Sequence, residues 1–210
     1  MNGFLAAHGH EISRLTLEHL RLVLTSMAFA VAIGVPLGIL VARRRSMRGV
    51  VLGANNIMQT IPSLALFGLL LPLPWLGARA DRLTVTALVL YALLPIVRNT
   101  YTGIVGIDPA VREAAIGMGL TSGELLRHVE LPLALPVILA GVRTSTVITI
   151  GVATIAAAIG AGGLGELIFR GLAMVDNKII LAGAVPAALM ALVADLMLGL
   201  FEHRAQRHRR

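Results

Sequence analysis

Apolar residues run along this chain in blocks long enough to cross a membrane, not in the narrow stripes of a soluble helix bundle. A helix spans the hydrocarbon core with about 20 apolar residues. Leu22–Ala42 is an uncharged run of 21 residues, one crossing in length. Gly49–Ala78 is uncharged for 30 residues but interrupted by Pro62, Pro72 and Pro74. It predicts one long or broken helix, with two short ones as the alternative. Leu83 to Gly106 predicts a third span, containing Arg98, and Leu135 to Ile159 a fourth, with Arg143 near its start. Ile179 to Phe201 predicts a fifth, with Asp195 inside it. The fold class is therefore all-α: a polytopic membrane helix bundle of about five transmembrane helices.

Composition agrees. The chain is 57% hydrophobic and only 14% charged, with a mean hydropathy of +0.85, against roughly 25% charged in a soluble domain. An aqueous enzyme, a secreted disulfide scaffold and a disordered tail are excluded. With no cysteine among the 210 residues, disulfides, iron–sulfur clusters and thiol catalysis are excluded too. Of the 18 basic residues, Lys178 is the single lysine, and it stands between Asn177 and Ile179. A phosphate-binding loop needs Gly-Lys followed by Ser or Thr, so any ATP-driven work must come from a partner. The six histidines (His8, His10, His19, His128, His203, His208) form no spaced metal-ligand set. No cofactor is implied.

The net charge of +7 reads as topology, since basic residues flanking spans mark the cytoplasmic side. With the N-terminus outside, ten basic residues fall in cytoplasmic segments: Arg43, Arg44, Arg45, Arg48, Arg112, Arg127, Arg204, Arg207, Arg209 and Arg210. Six fall outside: Arg14, Arg21, Arg79, Arg82, Arg170 and Lys178. No aromatic-rich basic patch points to nucleic acid. Residues 1–18 then read as an extracytoplasmic tail, 19–201 as the membrane domain and 202–210 as a basic cytoplasmic tail. Glu11 and Glu18 stand where a secretory leader would be positive, and no small-residue cleavage site follows the first apolar run. That run is expected to remain as a span.

One sizeable polar insertion, Asp108 to Leu133, separates the third and fourth spans. Asp108 followed by Pro109 is a helix start, and Gly119 suits a left-handed stop. Thr121 and Glu124 form a capping-box pair for a second short helix, which Pro132 is expected to end. By pattern alone this is an amphipathic connector. Its letters say more: Glu113-Ala114-Ala115, then Gly119, then Val129, Leu131 and Pro132. This spacing resembles the E-A-A loop of type I ABC importer permeases, with Val129 for isoleucine as the one departure. The resemblance implies the ABC transmembrane type-1 fold, with this loop as a cytoplasmic coupling helix docked on an ATP-binding subunit. Glu113, Ala114, Ala115, Gly117 and Gly119 would be its contact surface, with Leu131 and Pro132 completing the motif.

The resemblance extends over nearly the whole chain from about residue 20. Gln59-Thr60-Ile61-Pro62-Ser63-Leu64-Ala65, the stretch from Leu94 to Gly103, and Gly160-Ala161-Gly162-Gly163-Leu164-Gly165 are similar to the osmoprotectant branch. Those importers handle glycine betaine, carnitine and choline. Implied partners are an ATPase subunit, an extracytoplasmic substrate-binding protein (expected to be separate, since nine residues follow Phe201), a second permease copy, identical or paralogous, and the lipid bilayer. An amino-acid importer of the methionine type, which uses the same loop, is the alternative within the family. An ion-coupled secondary transporter is the alternative from another class. It would need internal repeats and midplane carboxylates; no repeat is visible and Asp195 alone lies inside a span. No catalytic constellation marks a membrane enzyme.

Several residues remain as candidates. Gly160 to Gly165 fits G-x-G-x-x-G but closes an apolar span instead of following a strand, so it reads as a turn. Gly34 and Gly38 match a small-residue packing pattern, although Pro36 between them suggests a kink. Trp75 reads as an interface anchor, and a chain with one Trp, two Tyr and five Phe offers little for an aromatic cage around a quaternary ammonium. Gln59, Thr60, Asn99 and Thr102 are either pathway-facing or bonded between helices. Arg98, Arg143 and Asp195 fall at similar depths, counted from the cytoplasmic ends of their spans. An aspartate is too short to reach the interface and needs a partner. It is expected to bond Arg98 or Arg143, the latter favoured because spans four and five are consecutive.

Overall fold

The computed structural model describes residues 2–207; Arg209 and Arg210 of the expected basic tail lie outside them. Helix α1 runs without a break from Asn2 to Arg43. Residues 2–18, expected as a tail, are helical and continuous with the first span, which passes through Pro36 as one helix. Helix α2 (Arg45–Thr60) follows at once and meets α3 (Ser63–Leu70) at a bend of 103°. Pro62 causes the bend: it lacks an amide hydrogen and forces the residue before it out of the helical region, and Ile61 is extended (φ −72°, ψ 124°). The short α4 (Pro74–Gly77) leads into α5 (Ala80–Val105). Next come α6 (Pro109–Gly117), α7 (Ser122–Glu124), a π-helical segment (Leu125–Glu130), α8 (Leu131–Ile155) and a 3-10 turn (Ala156–Ile159). Helices α9 (Gly165–Met174) and α10 (Asn177–Arg207) complete the chain. Among the described residues, four helices are long and apolar enough to cross a membrane, or five crossings if the bent α2–α3 pair counts as one.

Pro132 does not stop a second short helix. It sits in the first turn of α8, where a missing amide donor is tolerated. The preceding π-segment shifts the bonding pattern, with Leu131 N–H reaching the Leu126 carbonyl, so the helix passes from Ser122 to Ile159 as one element. Helix α9 was not foreseen. Its amphipathic ten residues lie between the glycine turn and α10, and they bury Leu167 beside Leu15, Leu164 and Ala187.

Helix α5 is the central post, with α1 and α8 packed on two of its faces and α2 on a third. Glycines set the approach. A Cβ on Gly38 would stand 2.5 Å from Thr100 Cβ and 2.9 Å from the Val97 carbonyl; one on Gly141 would stand 2.7 Å from Asn99 Cβ. Gly34 likewise faces Ile96. The Gly34–Gly38 pattern is thus a close-packed seam against α5. The seam is lined by Val23, Met27, Ala30, Leu88, Ala92 and Ile96, all buried. By contrast α10 buries little within the chain, with Leu181, Leu189, Leu192, Val193, Leu196 and Leu200 all more than half exposed. Gly38→Val should lower stability by about 1–3 kcal/mol through overpacking, read as a lower melting temperature of the purified protein in detergent. Gly53→Val, where nothing lies within 4 Å of the added Cβ, should change it little. Equal effects of the two would contradict the seam.

Candidate functional site

The loop-end surface is built by ordinary helix chemistry. Asp108 caps α6, its carboxylate accepting from Ala110 N–H at 2.9 Å, and Pro109 takes the first helical position. Gly119, at φ +87°, turns the chain out of α6 in a conformation that side chains disfavour. Thr121 and Glu124 form the expected capping box: Thr121 N–H donates to Glu124 Oε2 at 2.8 Å and Glu124 N–H to Thr121 Oγ1 at 3.4 Å. Glu113, Ala114, Gly117 and Gly119 are exposed. Ala115 is not; it is 2% exposed, packed inward. The helical period explains this. Arg112 and Ala115 lie three apart on the face turned to the bundle, while the outer face presents Ile116 and Met118, 57% and 75% exposed. Leu131 is half-buried and Pro132 exposed at the start of α8.

Beneath α6 lies a carboxylate that sequence reasoning missed. Glu130, 3% exposed, ends the π-segment, and its Oε2 accepts from Arg43 Nη2 at 2.6 Å. Arg112 Nε lies 3.0 Å from Oε1 at an angle too poor for a directed hydrogen bond, so this contact is an ion pair. Arg112 also donates to the Ile104 carbonyl near the end of α5, and Arg43 reaches the Ser122 carbonyl at 3.4 Å. Nothing in the letters V-E-L-P separates Glu130 from an ordinary loop acid; only its burial does.

Arg143 and Asp195 are joined in a fork, Nε to Oδ1 at 2.6 Å and Nη2 to Oδ2 at 2.7 Å. Glu202, assigned by sequence to the tail, adds a contact to Nη1 at 3.3 Å. Arg143 lies across Gly199, where a Cβ would stand 3.1 Å from Nη1. Asp195, Gly199 and Glu202 share one face of α10, so the glycine is the notch through which the guanidinium reaches both acids. Arg98 does not join them. On α5 the face carrying Pro95, Asn99 and Gly103 meets α8, as Gly141 against Asn99 and Gly103 against Ala134 attest. Arg98 is one residue, about 100°, off that stripe, and it is exposed. Equal depth did not mean facing.

The four pathway candidates divide. Pro95 cannot donate an amide hydrogen, so the Tyr91 carbonyl four residues earlier loses its helical partner. Gln59 Nε2 donates to that carbonyl at 3.0 Å, and the Tyr91 hydroxyl returns a bond to the Ile61 carbonyl at the α2–α3 bend. Asn99 Nδ2 donates to the Pro95 carbonyl at 2.8 Å, within its own helix. Thr60 and Thr102 are exposed. At the far end of the bundle, Gly160, Gly162 and Gly163 all take positive φ, forming a turn and not a nucleotide fingerprint. That turn lies over His19 and borders a cavity of about 420 Å³ lined by Glu18, Arg21, Asp81 and Glu166. Among the described residues, no group of three or more His, Asp or Glu side chains is arranged to hold a metal.

Residues 34–207 match the family described as binding-protein-dependent transport system inner membrane component. The chain belongs to that family. It is 49% identical to the glycine betaine/carnitine/choline transport system permease protein OpuCD of Bacillus subtilis over 88% of this chain and 80% of that one. It is 48% identical to the osmoprotectant import permease protein OsmW of Salmonella typhimurium, over 93% and 90% respectively. The choline transport system permease protein OpuBB of Bacillus subtilis matches at 43% over 96% and 91%. Among solved structures, the MetNI methionine ABC transporter in an inward-facing conformation superposes with a TM-score of 0.83, at 22% identity over 92% of this chain and 95% of that chain. At that identity the likeness is one of fold, and it places this multi-pass permease in the ABC transmembrane type-1 architecture.

Two outcomes follow for this permease. Asp195→Asn and Arg143→Gln should each lower its melting temperature, and the double variant should lose less than the two losses added, because the second change removes the charge that the first leaves unpaired. Strict additivity would deny the pair. On the cysteine-free background, a water-soluble thiol reagent should reach cysteine at Thr102 faster than at Gln59 or Asn99. Equal labelling of all three would contradict the division into exposed and bonded side chains.

Proposed function

We propose that this chain is the membrane-spanning permease subunit of an ATP-driven importer of quaternary ammonium osmoprotectants, the class of glycine betaine, choline and carnitine. The similarity at 49%, 48% and 43% identity to permeases named for those substrates, over most of both chains, carries the reading. The amino-acid alternative has less behind it, since the methionine transporter is only 22% identical. On this reading two permease copies, identical or paralogous, form the pathway. An extracytoplasmic binding protein delivers the substrate to the end bearing the glycine turn. A separate ATPase subunit docks on α6, so that the N-terminus faces outward and the C-terminus the cytoplasm. ATP hydrolysis resides on that partner, and this chain supplies passage and coupling.

The chemistry suits a conduit. One Trp, two Tyr and five Phe leave little with which to build a high-affinity aromatic cage, which places tight recognition on the binding protein. A helix carrying Glu113 beside exposed Ile116 and Met118 offers an ATPase a charged and an apolar contact together. Intramembrane Arg143 and Asp195 neutralise one another and hold α10 to α8, so their role is architectural. Of the candidate residues, Arg98, Thr60 and Thr102 are the exposed ones and line the pathway wall on this reading.

In proteoliposomes holding the permease, its ATPase and its binding protein, ATP should drive uptake of radiolabelled betaine, choline or carnitine. Methionine uptake with no uptake of those three would overturn the substrate class. Glu113→Lys should insert and assemble normally yet lose most transport, because it places the wrong charge at the ATPase contact. Wild-type transport by that variant would remove α6 from the coupling role.

A further inference from the structure

The carboxylate of Glu130 sits where four elements meet. Arg43, on its Oε2 at 2.6 Å, is the last residue of α1. Arg112, against its Oε1 at 3.0 Å, is on the inward face of α6 and also binds the Ile104 carbonyl at the end of α5. Glu130 itself is continuous with α8 through the π-turn, in which Leu131 N–H bonds Leu126 O. Both carboxylate oxygens are therefore engaged by arginines from two different helices, and the group is 3% exposed.

Besides these contacts, α6 is tied to the bundle by the buried Ala115 and by the two short turns that flank it. One turn is residues 106–108; the other is 118–121 and contains Gly119 at φ +87°. Such turns rotate easily, and a displacement of α6 would be absorbed in them. A buried ion pair with fixed geometry is stiff by comparison, because separating the charges leaves a desolvated carboxylate without a partner. A force on α6 then passes through Arg112 and Glu130 into α8, and through Arg43 into α1.

We propose that Glu130 is the positioning residue of the coupling loop: it clamps α6 to α1 and α8 so that movement of the ATPase contact becomes movement of the spans. This rests on α6 being the ATPase contact. Glu130 need not touch the ATPase or the substrate. Its effect is on how much transport each ATP yields, not on whether either partner binds.

The test is the ratio of ATP hydrolysed to substrate imported, measured on the full complex in proteoliposomes beside the amount of complex assembled. Glu130→Gln keeps the shape and removes the charge. It should assemble and hydrolyse ATP with little change while the ratio rises by about tenfold, the scale of a typical coupling energy. Glu130→Asp, which keeps the charge, should recover part of the coupling. An unchanged ratio in assembled Glu130→Gln would overturn the proposal, and so would ATPase activity and transport falling by equal factors while assembly stays normal. If Glu130→Gln does not assemble, Arg43→Gln and Arg112→Gln each leave the carboxylate one arginine and serve instead; both must raise the ratio. Glu113→Lys is the control. Uncoupling there with none at Glu130 refutes the clamp alone, whereas no uncoupling at either position refutes the docking of α6 on the ATPase.

Discussion

Hydrocarbon offers no hydrogen-bond partner, so backbone groups freed within a span need one from the protein. The arrangement of helices follows from how this chain meets that demand. Pro95 frees the Tyr91 carbonyl, and Gln59 crosses from α2 to take it. The Pro62 bend frees backbone at Ile61, and Tyr91 crosses back. Ser145 reaches from α8 to the Ala92 carbonyl at 2.8 Å, and Arg143 reaches from α8 to Asp195 on α10. Each bond joins two helices and fixes the rotation of one against the other. Apolar contact in a bilayer discriminates poorly among rotations, since lipid tails are as apolar as leucine. The polar bonds and the glycine seams at Gly38 and Gly141 supply the register that leucines do not.

The spans were legible because a membrane imposes a length on apolar runs, and the break at Pro62 because proline acts locally. The capping box at Thr121 and Glu124 was legible for the same reason: it closes within four residues. The misreadings share a cause. Pro132 is a helix breaker only when the helix before it keeps α-periodicity, and the π-turn over Leu125–Glu130 removes that condition. Arg98 has the right depth but the wrong azimuth, and azimuth depends on which face of α5 the other helices choose. Ala115 carries the family motif yet faces inward, and Glu130 looks like any loop acid until α1 and α6 converge on it. Gly199 is an unremarked letter until Arg143 lies across it. These are facts about neighbours distant in sequence, which one chain's letters do not encode locally.

The two ends of the bundle differ in kind. The end bearing α6 combines a buried, doubly paired carboxylate with exposed Ile116 and Met118, a rigid base under an apolar surface. The opposite end is a turn of positive-φ glycines over His19 beside a cavity edged by acids. A subunit that passes mechanical work inward from one partner and receives substrate from another requires such polarity. Between the two ends α5 touches α1, α2 and α8, so displacement at the loop end has a direct path along the central post.

The central claim, that the outer face of α6 is where an ATPase engages this permease, can be tested by cross-linking in the assembled complex. Cysteine at Met118, exposed at the C-terminal end of α6, should be captured by an ATPase subunit treated with a short bifunctional thiol reagent, and capture should change between ATP-bound and ATP-free states. Cysteine at Val175, which is 85% exposed at the far end, should not be captured in either state. Capture at Val175, or none at Met118 in an assembled complex, would contradict the account.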